Sequence, residues 1–168
     1  MAQRILIPLD GSKVAEEAVT FVQSLLPAGD VEVHLLTVLP QVDDLPFVGQ
    51  FPLLNDEVRE LASHVQRHQE QYTRAYLDMI AWSLEDGGYQ VRTHIAVGRP
   101  EEHIVTMARS LDVDLIVMTS HGQAGDVQWR YGHVTERVLC ASNRPVLVVP
   151  VRGHMLAAAA VSDKQVAP

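Results

Sequence analysis

The chain has 168 residues, a hydrophobic fraction of 47% and a formal net charge of −8. That length suffices for one domain with a real core and falls short of two. The acidic balance argues against nucleic acid or an anionic membrane as partner, since both require a basic face, and no apolar run approaches the length of a membrane span.

Met1-Ala-Gln-Arg4 runs at once into Ile5-Leu-Ile7, too short a run for a signal-peptide core. The single cysteine, Cys140, permits no intramolecular disulfide, which fits a reducing cytoplasm. We read it as a small buried hydrophobe rather than a nucleophile.

Residues 4–9 read as a first buried strand, with Pro8 near its end where a missing donor matters little. Asp10-Gly-Ser12 turns into a helix. Ser12 is the expected N-cap, and Ala15, Ala18, Val19, Val22 and Leu25-Leu26 share one face. Residues 31–39 form a second strand. Residues 40–54 hold three prolines and a glycine beside seven apolar residues, so they form an irregular loop. Such a loop packs on its own domain, or serves as a lid or docking segment.

Asn55 or Asp56 caps a long helix running to about Asp86. Val58, Leu61, Ala62, Val65, Tyr72, Tyr76, Met79-Ile80 and Leu84 keep helical spacing there, and Gly87-Gly88 stops it. His64 and His68 stand four apart, a metal-ligand spacing with no evident third ligand, so ordinary helix residues are the preferred reading. Residues 89–97 alternate as a third strand. Gly98-Arg-Pro100 opens another helix with Ile104, Met107, Ala108 and Leu111 on its buried face. Leu115-Ile-Val-Met118 is an apolar run suited to a strand covered on both sides. A polar loop with Gly122, Gly125 and Gly132 follows, then a last helix from Gly132 to about Ala141 and a fifth strand over residues 146–149.

Strand, glycine-containing loop and helix N-terminus together present backbone N–H groups and partial positive charge to a phosphate. Strands alternating with helices imply an α/β fold. We expect a five-stranded parallel sheet with helices on both faces, Rossmann-like, over residues 1–151, and a flexible tail over 152–168. Ligands in such sheets bind beyond the carboxyl ends of the strands. Asp10, Leu39-Pro40 and the glycine loop all fall there.

Four pieces carry a resemblance: Ile5-Leu-Ile-Pro-Leu-Asp-Gly-Ser12, Val97-Gly-Arg-Pro100, Ser120-His-Gly122 with Gly132 and Val134-Thr-Glu-Arg-Val138, and Arg144-Pro-Val-Leu-Val-Val149. In this order they resemble the universal stress protein family, whose fold is that of the adenine-nucleotide α-hydrolases. Its nucleotide-binding branch uses Gly, two residues, Gly, nine residues, then Gly and Ser or Thr. Gly122 and Gly132 match, with nine residues between them, while Thr119 stands at the first glycine and His133 at the Ser/Thr.

The resemblance implies ATP or AMP as ligand, with or without Mg²⁺. Asp10 would hold ribose hydroxyls, Val38 would lie by adenine, and Gly122, Gly132 and His133 would line the phosphates. Pro8, Gly98 and Thr119 join that set. Asp10 has a second reading as a turn former before Gly11-Ser12. His121 either contacts a phosphate or fixes its loop. Arg130 either reaches a triphosphate or stays solvated, and Trp129 either covers an interface or packs inside.

No Walker pattern, Gly-x-Ser-x-Gly elbow or nucleophile–base set is present, so at most slow ATP hydrolysis is expected, from the resemblance alone. The resemblance also implies a homodimer through the last strand and an unidentified protein partner. The expected function is a cytoplasmic nucleotide-dependent sensor or adaptor in stress adaptation. The alternative is a nucleotide-free dimeric adaptor. An adenylating enzyme of related architecture is a third reading, for which residues 8–12 do not supply the phosphate loop.

Overall fold

The structure is a computed structural model that describes residues 3–41, 55–120 and 131–151. The elements run β1 (Gln3–Pro8), α1 (Lys13–Leu25), β2 (Val31–Leu39), α2 (Asn55–Asp86), β3 (Gln90–Val97), α3 (Pro100–Ser110), β4 (Leu115–Thr119), α4 (His133–Ala141) and β5 (Val146–Val149). All five strands pair in parallel, in the order β3-β2-β1-β4-β5. This is the expected architecture.

The order reflects how the chain is wound. After β1 it steps outward twice in one direction, then crosses back over the sheet to β4 and steps the other way. Right-handed crossovers therefore put α1 and α2 on one face and α3 and α4 on the other. Two apolar clusters record this. Ile5, Ile7, Val33 and Leu35 pack with Ala18, Val22, Leu77 and Leu84. Leu6, Leu36 and Ile116 pack with Ile104, Ala108 and Val138. Central β1 serves both, and Ile5, Leu6 and Ile7 are all fully buried. Each such side chain contributes roughly 1.5–3 kcal/mol.

The helix starts follow their local chemistry. The Ser12 hydroxyl accepts from the Ala15 N–H at 3.1 Å, as an N-cap should. Gly11 precedes it at φ +81. At α3, Arg99 is the N-cap, Pro100 supplies the fixed φ of the first turn, and Glu101 and Glu102 lie at the positive end of the helix.

Some burial expectations are corrected. Cys140 is exposed, not buried. Thr135 and Val138 turn α4 toward the sheet, and a residue two beyond Val138 faces away at 100° per residue. Leu25 is exposed at the end of α1, while its neighbour Leu26 packs on the core. On α2 the buried positions are Ala62, Leu77, Ile80, Ala81 and Leu84, whereas Leu61, Tyr72 and Met79 are exposed despite their helical spacing. Periodicity finds a stripe, but it does not say which of two stripes meets the sheet. His64 and His68 join no cluster of three ligating side chains among the described residues. Residues 42–54 and 152–168, with their loop and tail expectations, lie outside the described residues.

One polar pair is built into the α3 side of the sheet. His34 is buried on β2, and its Nδ1 lies 3.0 Å from Nε2 of His94 on β3. The Nε2 of His34 is 3.7 Å from a Glu32 carboxylate oxygen. Burial pushes both imidazoles below their ordinary value, His34 despite the attraction of Glu32.

Candidate functional site

At the carboxyl ends of β2 and β3 the helix starts of α3 and α4 come together over an open cavity of about 400 Å³. Val38 and Pro40 line it from the end of β2, Gly98 from the turn after β3, Arg99, Pro100 and Glu101 from the start of α3, and His133 and Arg137 from α4. The volume is within the range of small-molecule and cofactor sites, roughly 300–1,000 Å³. Its wall is one apolar patch, two guanidinium groups, one imidazole and one carboxylate.

The turn at Gly98 is tightly made. Its φ is +135, its N–H donates to the Leu39 carbonyl at 2.8 Å, and a Cβ there would stand 2.9 Å from Nε2 of His103. The backbone thus needs glycine.

The charged wall is tied together. Nη1 of Arg137 lies 2.5 Å from Oε1 of Glu101, and Nε of Arg99 lies 4.0 Å from the same oxygen. Glu101 is mostly buried while both arginines keep substantial exposure. Its carboxyl is held below the usual carboxylate range, first by a hydrogen bond from its own backbone N–H in the first turn of α3, then by Arg137. Arg99 has a closer partner, Glu102, whose Oε1 accepts from its Nη1 at 2.8 Å. Glu101 therefore holds chiefly Arg137, and the two guanidinium groups are matched by two carboxylates.

α4 adds backbone donors. Its first intrahelical bond runs from the Glu136 N–H to the Gly132 carbonyl, so the N–H groups of His133, Val134 and Thr135 have no acceptor within the helix. Gly132 is the N-cap at φ −64, a value open to any residue. Its own N–H donates to the Ser120 carbonyl at 2.5 Å, which pins the two ends of the glycine loop together. The Thr135 hydroxyl donates to the Thr119 carbonyl at 3.0 Å and ties α4 to the end of β4.

Of the residues proposed from the sequence, Val38, Gly98 and His133 are brought together around the cavity. Pro8 ends β1 and Thr119 ends β4, where Thr119 is buried. Asp10 follows β1, and its Oδ1 accepts from the Ser12 N–H at 3.0 Å and the Ser12 hydroxyl at 2.6 Å. The turn-forming reading of Asp10 thus describes that oxygen. His121, Gly122 and Arg130, with Trp129, lie outside the described residues. Sequence reasoning did not single out Glu101 or Arg137. Arg137 lies one helical turn beyond His133, so the same-face rule for residues four apart would have found it.

The universal stress protein family model matches residues 1–150. The chain belongs to the universal stress protein family. Universal stress protein MJ0577 of Methanocaldococcus jannaschii is 34% identical over 154 residues, covering 89% of this chain and 95% of that protein. The solved structure of MJ0577 superposes with a TM-score of 0.76 at 33% identity, over 89% of this chain and 96% of that one. Two more distant structures share the fold. A universal stress protein in complex with cAMP has a TM-score of 0.62 at 18% identity, over 89% of this chain and 98% of that one. An Arabidopsis thaliana family protein with AMP bound has a TM-score of 0.57 at 14% identity, over 88% and 91%. This universal stress protein has no helix, among its described residues, long and apolar enough to cross a membrane.

Proposed function

We propose that this stress protein binds an adenine nucleotide, ATP or AMP, in the cavity at the ends of β2 and β3. The observation that carries the reading is the convergence of the α4 N-terminus with Arg137, Arg99 and His133 on one apolar-floored cavity. Adenine would lie against Val38 and Pro40. The phosphates would lie toward the α4 N–H groups that have no acceptor within the helix, with Arg137 turning from Glu101 and Arg99 from Glu102 to meet them. Asp10 would hold the ribose hydroxyls and Gly122 would line the phosphates with Gly132, with Mg²⁺ accompanying a triphosphate. The cAMP and AMP complexes of distant fold relatives are in keeping with this ligand class.

The nucleotide would set the protein's affinity for other proteins in the cytoplasm, and the chain would pair with a second copy through β5. Calorimetric titration of nucleotide-free protein tests the site. The expected result is binding of ATP or AMP that Arg137→Ala weakens and that GTP does not reproduce.

One observation favours a second reading, a nucleotide-free adaptor. His133 lines the cavity where the family's nucleotide binders carry Ser or Thr. If the imidazole blocks the phosphate position, His133→Ser creates binding that the wild type lacks. Equal binding by both proteins removes this reading.

A further inference from the structure

The two guanidinium groups of the cavity are already paired. Glu101 holds Arg137 at 2.5 Å and Glu102 holds Arg99 at 2.8 Å. Val38, Pro40, Gly98 and Pro100 bring no charge to the lining. His133 therefore sets the net side-chain charge of the described wall. A neutral ring leaves that wall balanced, and a protonated ring adds one positive charge. Histidine is also the one residue type in this lining that ordinarily changes charge between about pH 5 and 8.

His133 is placed to use that charge. It is the first residue of α4, exposed, and it lines the cavity. A phosphate drawn to the first N–H groups of α4 lies beside it. The Ser or Thr that the family's nucleotide binders carry here offers a hydroxyl and no titration. The charged and titratable groups around the ring are few. α4 contributes Glu136 and Arg137, three and four residues on, and Tyr131 precedes the helix. α3 contributes Arg99 and Glu101, with Glu102 behind Arg99. β2 contributes none, since Val38 and Pro40 are apolar.

Resting on the nucleotide reading above, we propose that His133 makes nucleotide binding proton-linked. The imidazolium contacts the phosphate, so acid tightens the site. An anion beside an imidazole favours the protonated ring. Proton and nucleotide then raise each other's affinity by the same factor. The two arginine–glutamate pairs give the proton its weight, because they leave no other uncompensated side-chain charge in the described lining. The tighter state is present at the acid end of the window and is lost as the pH rises through it.

Calorimetric titration of the full-length protein with AMP and with ATP, from about pH 5.5 to 8, tests this. His133→Gln is neutral throughout and His133→Lys is charged throughout. The ratio of wild-type to His133→Gln affinity should be about tenfold larger at the acid end than at the alkaline end. His133→Lys should keep its advantage over His133→Gln across the whole range. The phosphate's own proton, taken up at about pH 6, is common to all three proteins and cancels in these ratios. So do His34, His94 and His103. Wild-type binding should also take up more protons than His133→Gln, read from enthalpies in buffers of different ionisation enthalpy. Position 133 is exposed, and circular dichroism at each pH checks the fold. A wild-type to His133→Gln ratio that stays constant across the window would overturn the proposal and leave the nucleotide reading standing. Absence of AMP and ATP binding at every pH would overturn both.

Discussion

Nη1 of Arg137 and Oε1 of Glu101 lie 2.5 Å apart, and they join two helices whose starts converge on one cavity. Glu101 competes with any anionic ligand for the guanidinium. Glu101→Gln should therefore tighten ATP binding, measured by calorimetry. It should cost less than about 1 kcal/mol of stability, because the pair is partly solvated. Arg137→Ala should weaken ATP by roughly tenfold to a hundredfold, the worth of one charge-assisted contact. Glu101 titrates below its ordinary 4.5. Its stabilising contribution is thus complete above that value and is lost as the pH falls through the folded value.

Gly98 sets the cavity floor through its backbone. Gly98→Ala meets a movable His103 ring, so the steric part can relax, but φ +135 remains strained for any side chain. The expected loss is about 1–3 kcal/mol in urea unfolding. Adding His103→Ala should restore only part of it. Full recovery in the double variant would mean that contact, rather than backbone strain, sets the cost.

The buried imidazoles make the fold acid-sensitive. His34 and His94 both titrate below 6.5 in the folded state, first because burial disfavours their charge. The unfolded chain therefore binds protons more readily. Both contributions are fully present above pH 6.5 and are lost as the pH falls through the folded values. Glu32, Arg92 and Arg4 act on this pair, with Glu32 opposing the shift at His34 and the arginines adding to it. Urea unfolding across this window should show stability falling with acid, and a flatter profile for His34→Leu/His94→Leu.

β5 is the margin of the sheet. Its Pro145 and Val149 carbonyls face β4, accepting from Ile116 and Ser120. The alternation of a parallel ladder turns the backbone groups of Val146 and Val148 outward. Val148→Pro removes one outward donor and no bond to β4. If the chain pairs through β5, light scattering should register a lower mass for this variant while its circular dichroism is kept.

The fold was legible because its strands are uniform apolar runs and its helices carry caps. Ser12 and Pro100 mark their helix starts, and Gly87-Gly88 ends a helix of 32 residues. The second face of α2 was not legible. Leu61, Tyr72, Met79 and Trp82 interleave with the buried positions, so one period hides two stripes. Cys140 failed for a related reason, since residue type gives a burial tendency and the helix phase decides it. At the site, Val38 and Gly98 were reached through motif resemblance. Glu101 and Arg137 were not, because their pairing joins residues 36 apart and belongs to the packing of α3 on α4.

The central claim is adenine nucleotide binding, and thermal unfolding of nucleotide-stripped protein tests it most directly. ATP with Mg²⁺, AMP and GTP are compared at equal concentration. A ligand at about a hundred times its dissociation constant stabilises by about 2.7 kcal/mol, a shift of several degrees for a chain of this size. The account predicts a shift with ATP or AMP, absent with GTP and reduced in Arg137→Ala. No shift with any adenine nucleotide at millimolar concentration would contradict it.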